Sequence, residues 1–128
     1  MRIERLGNLG TAAQVLCAVG EATSRLALPP PAALTGEWFG ARAVIAPSVL
    51  VQPVKAADAF AIRPGCDATA VGGGWIGYLS YPDAAADGRP SRIPEAAGGW
   101  TDCVLRGDRD GQWWYESLSG APMPRWLV

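Results

Sequence analysis

Three consecutive prolines, Pro29 to Pro31, divide this chain into two unlike parts. Proline lacks a backbone N–H and biases the residue before it away from helix. No helix can therefore run through "LPPP" at 28–31. Before it, "GTAAQVLCAVGEATSRLA" (10–27) spaces Ala12, Val15, Leu16, Val19, Ala22 and Leu26 along one helical face, with Thr11 placed to cap it. After it, glycines and prolines cut the chain into pieces too short for anything but strands and turns. Gly and Pro together make 27 of the 128 residues, enough for many turns but below the low-complexity range.

The candidate strands are "AALT" (32–35), "ARAVIA" (41–46), "SVLVQPV" (48–54) and "GWIGYLSY" (74–81). Pro47 and Pro53 mark strand ends or edges. Residues 55–71 are weakly patterned and read as irregular or a short helix. Residues 82–99 read as a long polar loop. A hairpin closes the pattern: "WTDCVLR" (100–106) and "QWWYESL" (112–118) flank "GDRDG" (107–111), where Asp110-Gly111 tolerates positive φ. Thr101, Cys103 and Leu105 share one face of its first strand, and the adjacent Trp113 and Trp114 face opposite sides. The tail "GAPMPRWLV" reads as a connector that leaves Trp126, Leu127 and Val128 little to pack against.

Length and composition fit one domain, 1–128, with a real core: 49 % of residues are hydrophobic and 18 % charged. A net charge of −1 gives no footprint for nucleic acid or an anionic membrane. No stretch approaches the roughly 18 apolar residues of a span, and no secretory leader is visible. Cys17, Cys66 and Cys103 are odd in number and widely spaced, which reads as reduced, structural thiols in a cytoplasmic chain. The chain has no His. That removes the Ser-His-Asp triad, the Cys-His dyad and any imidazole base. No catalytic residue and no metal site is assigned.

Several local patterns invite chemistry. Gly72, Gly74 and Gly77 match G-x-G-x-x-G, the dinucleotide loop. That loop needs a helix directly after it, and here an aromatic strand and Pro82 come next. The glycines are expected instead to give positive φ or close backbone approach beside a bulge. Asp108 and Asp110 read as turn chemistry rather than metal ligands, since the calcium-loop spacing is absent. Arg92 and Glu95 read as a solvated loop pair. The six Trp at 38, 75, 100, 113, 114 and 126 read as core or interface.

"GGWIGYLSYPD" (73–83) and "RIPEAAGGWTDCVLRGDRDGQWWYES" (92–117) resemble the N-terminal region of the family of aminodeoxychorismate synthase component I and anthranilate synthase component I. Gly73, Gly74, Gly77, Tyr78 and Tyr81 match its "GGxxGYxxYD"-like strand, with Asp83 one place late behind Pro82. Ile93-Pro94-Glu95 stands for its "LPD"-like residues. "PAALTGEWFGARAVIAPS" (31–48) is similar to its first strand pair, where feedback-regulated members carry an "LLES"-like motif in a tryptophan pocket. Here Ala33-Leu34-Thr35-Gly36 replaces that motif, so its acid and Ser are missing. The effector-pocket candidates carried over are Leu34, Thr35, Gly36, Trp38 and Phe39. These departures favour the aminodeoxychorismate branch.

The resemblance covers residues 1 to about 125 and about the first quarter to third of the family protein. It implies an α+β fold: an N-terminal helix and a mainly antiparallel, twisted sheet with a C-terminal hairpin, like the N-terminal part of the chorismate-utilising synthase sandwich. It implies a scaffold or effector domain, inactive alone, serving chorismate amination toward para-aminobenzoate and folate. No cofactor is expected in this chain; magnesium belongs to the full-length enzyme. The implied partners are a chorismate-binding catalytic domain and a glutamine amidotransferase subunit. An exposed apolar face and self-association are also expected. The alternatives are a free-standing module for a small aromatic or amino-acid ligand, or a truncated product with no independent role.

Overall fold

A computed structural model of the chain describes residues 1–38, 40–54, 72–79 and 96–127. The elements in order are β1 (Arg2–Gly7), α1 (Ala12–Arg25), β2 (Ala32–Trp38), β3 (Ala41–Ala46), β4 (Gln52–Pro53), β5 (Gly74–Leu79), β6 (Ala96–Thr101), β7 (Cys103–Gly107), β8 (Trp113–Ser117) and a 3₁₀ turn (Arg125–Leu127). The fold is α+β: the described residues form one α-helix and antiparallel sheets, as the resemblance implies.

α1 begins where the sequence places it. Gln14 N donates to Thr11 Oγ1 at 3.2 Å, and Thr11 N donates to Gln14 Oε1 at 2.9 Å. This reciprocal box satisfies two of the donors that a helix start leaves over. The other end closes with a paired C-terminal motif: Leu28 N donates to Thr23 O (2.9 Å) and Ala27 N to Ser24 O (3.3 Å). The turn holds Ala27 at φ 55°, the one non-glycine at positive φ among the described residues. Glycine is the residue such a cap favours, because a Cβ crowds the left-handed conformation. Ala27→Gly is therefore expected to stabilise the chain by about 0.5–1 kcal/mol, read as a raised urea midpoint at unchanged slope. A lowered midpoint would contradict it.

The described residues form two sheets. The larger runs β1-β8-β7-β3-β2 and the smaller β4-β6-β5, all neighbours antiparallel. α1 lies on one face of the larger sheet. Its Val15 and Val19 pack on Ala43, Ile45, Leu105, Trp113 and Tyr115, all buried. On the opposite face Ala41, Val44 and Val104 form a second cluster. Trp113 and Trp114 part as the alternation requires: Trp113 is buried in the helix-side core, Trp114 half-buried on the other side.

The chain crosses between sheets through one residue. β6 ends at Thr101 and β7 starts at Cys103, leaving Asp102 as the joint. Its carboxylate accepts from Ser117 Oγ (3.0 Å), Ser119 N (3.0 Å) and Ser119 Oγ (2.5 Å), while its carbonyl takes Leu118 N (2.9 Å). The Ser119 hydroxyl bond, with Ser117's behind it, holds the Asp102 carboxyl below its ordinary range.

Four expectations need correction. Residues 96–99 are not loop: they open β6, with Ala96, Ala97 and Gly98 buried. They pair with β5 in unbroken register, so no bulge accompanies the glycines there. Within 48–54 only Gln52–Pro53 is strand; Val49 instead turns its N–H to Pro30 O (3.2 Å). The tail is not idle. Tyr115 Oη donates to the carbonyls of Ala121 (3.2 Å) and Pro122 (3.3 Å), and Met123, Trp126 and Leu127 pack against the core. β1 adds a strand that the sequence pattern does not reveal.

Candidate functional site

The glycine run resolves into structural work. Gly72 (φ +76°) is buried and donates its N–H to Glu116 Oε1 at 3.1 Å. Gly73 leaves no room for a Cβ beside the Thr101 carbonyl. Gly74 (φ +137°) opens β5. Gly77 pairs with Gly98, and the Trp75 indole lies across both. A Cβ on Gly98 would overlap Trp75 Cζ2. The glycines lead into a strand, so the positive helix end of a phosphate loop is not assembled here. Tyr78 is exposed on β5, while Tyr81, Arg92, Ile93, Pro94, Glu95 and Cys66 lie outside the described residues.

The effector-pocket candidates fall on β2. Ala33 and Leu34 are half-buried, and Thr35, Gly36 and Trp38 are exposed. The β2–β3 register shifts between Thr35 and Trp38, with Gly36 at φ +101°. Trp38 Nε1 donates to Thr35 O at 2.8 Å, folding the indole back over this bulge. Leu34, Thr35, Gly36 and Trp38 are together, but on the rim of the sheet. Phe39 lies outside the described residues.

A cleft of about 560 Å³ opens elsewhere, where the start of α1 meets the β7–β8 turn. It is lined by Asn8, Thr11 and Gln14 on one side, Arg42 and Asp108 on the other, with Trp113 among its walls. Local bonding fixes its walls. Asn8 Oδ1 takes Gly10 N (3.0 Å), and Trp113 Nε1 donates to Gly10 O (3.0 Å). Asp108 organises the turn: Oδ1 accepts from Asp110 N and Gln112 N, both 2.9 Å, and Oδ2 from Trp114 Nε1 at 3.0 Å. The Trp114 bond, then those backbone donors, draw its carboxyl below the usual range. Turn chemistry is thus its observed role. Asp108 keeps its charge near neutral pH and, with the exposed Arg42, gives the cleft one charge of each sign.

The second polar centre is one that the sequence reading misses. Glu116 is fully buried and pairs with Arg106, Oε2 to Nε at 2.8 Å. The two are diagonal neighbours on β8 and β7, and the Arg106 guanidinium also sits over the Trp114 ring, 5.6 Å from its centre. An acid two residues after a Trp on one strand face, diagonal to an Arg, is the available signal. With Gly72 held by the same carboxylate, this group ties the entry to β5 to the larger sheet.

Nucleophilic chemistry is disfavoured at the thiol that the structure places inside. Burial pushes the Cys103 thiol up from its ordinary value. Cys17 and Cys103 are both free. Burial likewise pushes the Tyr115 phenol up to about 12. A group raised on folding stabilises below its unfolded value and ceases to as pH climbs through the folded one. Tyr115 should thus add an alkaline loss of stability between about 10 and 12. Tyr115→Phe should flatten that window in a pH series of urea melts, and an unchanged profile would sink the assignment. Among the described residues no three His, Cys, Asp or Glu gather as a metal site, and no helix is long and apolar enough to cross a membrane.

Set against known proteins, the chain matches no protein-family model, no curated protein and no solved structure.

Proposed function

We propose that this chain is a non-catalytic N-terminal domain of the aminodeoxychorismate synthase component I kind. It would act as scaffold for a chorismate-binding catalytic domain that works with magnesium and a glutamine amidotransferase subunit. One observation carries the reading. The two stretches that resemble the family meet as neighbours: β5 pairs along its whole length with β6, and β6 passes through Asp102 into the β7–β8 hairpin. The resemblance thus falls on the unit that joins both sheets rather than on scattered pieces.

The chain alone is expected to form no product from chorismate, magnesium and ammonia. Supplied in trans with a separately expressed chorismate-binding domain, it should co-elute with that domain and raise its amination rate. Turnover by the chain alone would overturn the domain reading, and so would failure to bind or stimulate the catalytic domain.

A second reading, a free-standing small-molecule module, is favoured by the cleft, where Arg42 and Asp108 offer one charge of each sign to a zwitterionic amino acid. Trp113 in its wall supplies the readout. Titration with tryptophan and with chorismate should change its fluorescence, and a flat response to both would remove this reading.

A further inference from the structure

The cleft between α1 and the β7–β8 turn holds donors and acceptors in unequal states. Its acceptors are already engaged by the protein itself. Asn8 Oδ1 takes Gly10 N (3.0 Å), and Gln14 Oε1 takes Thr11 N (2.9 Å). The Gly10 carbonyl takes the Trp113 indole N–H (3.0 Å). The Asp108 carboxylate accepts three N–H groups, from Asp110, Gln112 and Trp114.

Those bonds fix what remains. A side-chain amide has one oxygen and one NH2, so an oxygen held by a backbone N–H leaves the NH2 over. Asn8 and Gln14 both line the cleft and are exposed, and each keeps such an NH2. Gln14 cannot be turned round, because its NH2 would then meet the Thr11 N–H and open the capping box. The Thr11 hydroxyl accepts from Gln14 N (3.2 Å) and keeps its own proton to give. Arg42 is exposed on the same cleft, and among the described residues nothing accepts from its guanidinium. Four donor groups, one a full cation, thus line a space of about 560 Å³ without a protein acceptor. That volume is in the range of small-ligand sites.

We propose, resting on the second reading above, that the cleft recognises the carboxylate of a small monocarboxylic acid. Arg42 and the NH2 groups of Asn8 and Gln14 take its oxygens, and its apolar body lies along Ala12, Ala43 and Trp113. A ligand that displaces water from these donors must bring acceptors, and a carboxylate brings two oxygens that charge-assisted bonds favour. An ammonium gains less, since the Asp108 oxygens already hold three N–H groups. Of an amino acid, then, the carboxylate is the part recognised and the amine is dispensable. One cation answers one negative charge. A phosphate dianion brings a second, with Asp108 in the facing wall to repel it.

Titrations followed on the side-chain NMR signals of Asn8, Gln14 and Arg42 test it, with phenylpropionate, phenylalanine, phenylalaninamide and inorganic phosphate as probes. Phenylpropionate and phenylalanine should shift all three side chains, with affinities within about threefold of each other. Phenylalaninamide should shift none, and phosphate should bind about tenfold more weakly. Gln14→Glu keeps the capping box, because Glu makes the same reciprocal bond, but sets an anionic oxygen where the NH2 stood. It should weaken phenylpropionate by about tenfold or more at unchanged helix content, as should Arg42→Gln. Binding of phenylalanine without phenylpropionate, or of phenylalaninamide, would keep the cleft as a site and overturn the carboxylate inference. So would phosphate binding as tightly as the acids, or full affinity in both variants. No shift with any probe at about 10 mM would overturn this inference and the small-molecule reading together, and leave the domain reading standing.

Discussion

Arg106→Met is expected to destabilise the chain by about 3–5 kcal/mol, the range for removing one partner of a buried ion pair. Glu116 has no solvent exposure, and the Arg106 side chain keeps only 15 %. Loss of the guanidinium takes the Arg106 contact from a fully buried carboxylate, and the charge from above the ring of Trp114. Much of the cost is the lost compensation of a buried charge rather than the net worth of the pair. The double variant Arg106→Met, Glu116→Leu should therefore recover much of the lost stability, because two apolar groups of similar volume need no solvation. Urea melts of the two singles and the double read the cycle directly. A loss under about 1 kcal/mol for Arg106→Met would mean that the Arg106 contact is not what compensates the buried Glu116 carboxylate.

Gly98→Ala is the second large effect. The added methyl would overlap Trp75 Cζ2 and Cε2 and meet the Ile76 carbonyl at 2.7 Å. An indole across a strand pair cannot retreat by an ångström without leaving its rotamer or lifting off the sheet. Overpacking of this kind costs about 1–3 kcal/mol, and a clash with both ring and backbone belongs at the upper end. Trimming the ring should relieve the ring part of it: Trp75→Leu in the Gly98→Ala background should cost less than the sum of the two single changes. Simple additivity would show that Trp75 does not occupy the space above Gly98. The same geometry explains why residues 96–99 escape a propensity reading. "AAGG" has neither β-branched nor aromatic side chains, yet pairing with β5 makes it strand, and at Gly98 only a glycine fits beneath the Trp75 ring.

Legibility divides along the line between local and non-local causes. The helix is readable because its face, its Thr11 cap and its proline stop are all local, and β3 falls on "ARAVIA" (41–46) for the same reason. The hairpin turn is readable from Asp110-Gly111, and Gly111 indeed sits at φ +82°. β1 is not, because Arg2, Glu4 and Arg5 fall on both faces of the strand and no apolar alternation remains. β8 recruits it by backbone pairing. The cleft is out of reach too: Gln14, Arg42 and Asp108 belong to three separate segments, and nothing in their spacing joins them. Asp108 reads correctly as a turn former, but its bond to Trp114 and its place in a wall depend on the closed sheet.

The pairing of β1 with β8 also dictates an order of events. Arg5 meets Gln112 across 107 residues of sequence, so the sheet's first strand has nothing to join until its last has been made. During synthesis α1 can form early, from local contacts alone, but the core it packs on is completed only by β7 and β8. Long-range closure of this kind is slow relative to helix formation, because the loop entropy must be overcome before the contact returns anything. Refolding should accordingly show helix signal first and burial of Trp113 late. A nascent chain stalled before residue 113 would hold the helix with β2, β3 and β7, and Val15 and Val19 would lack Trp113 and Tyr115.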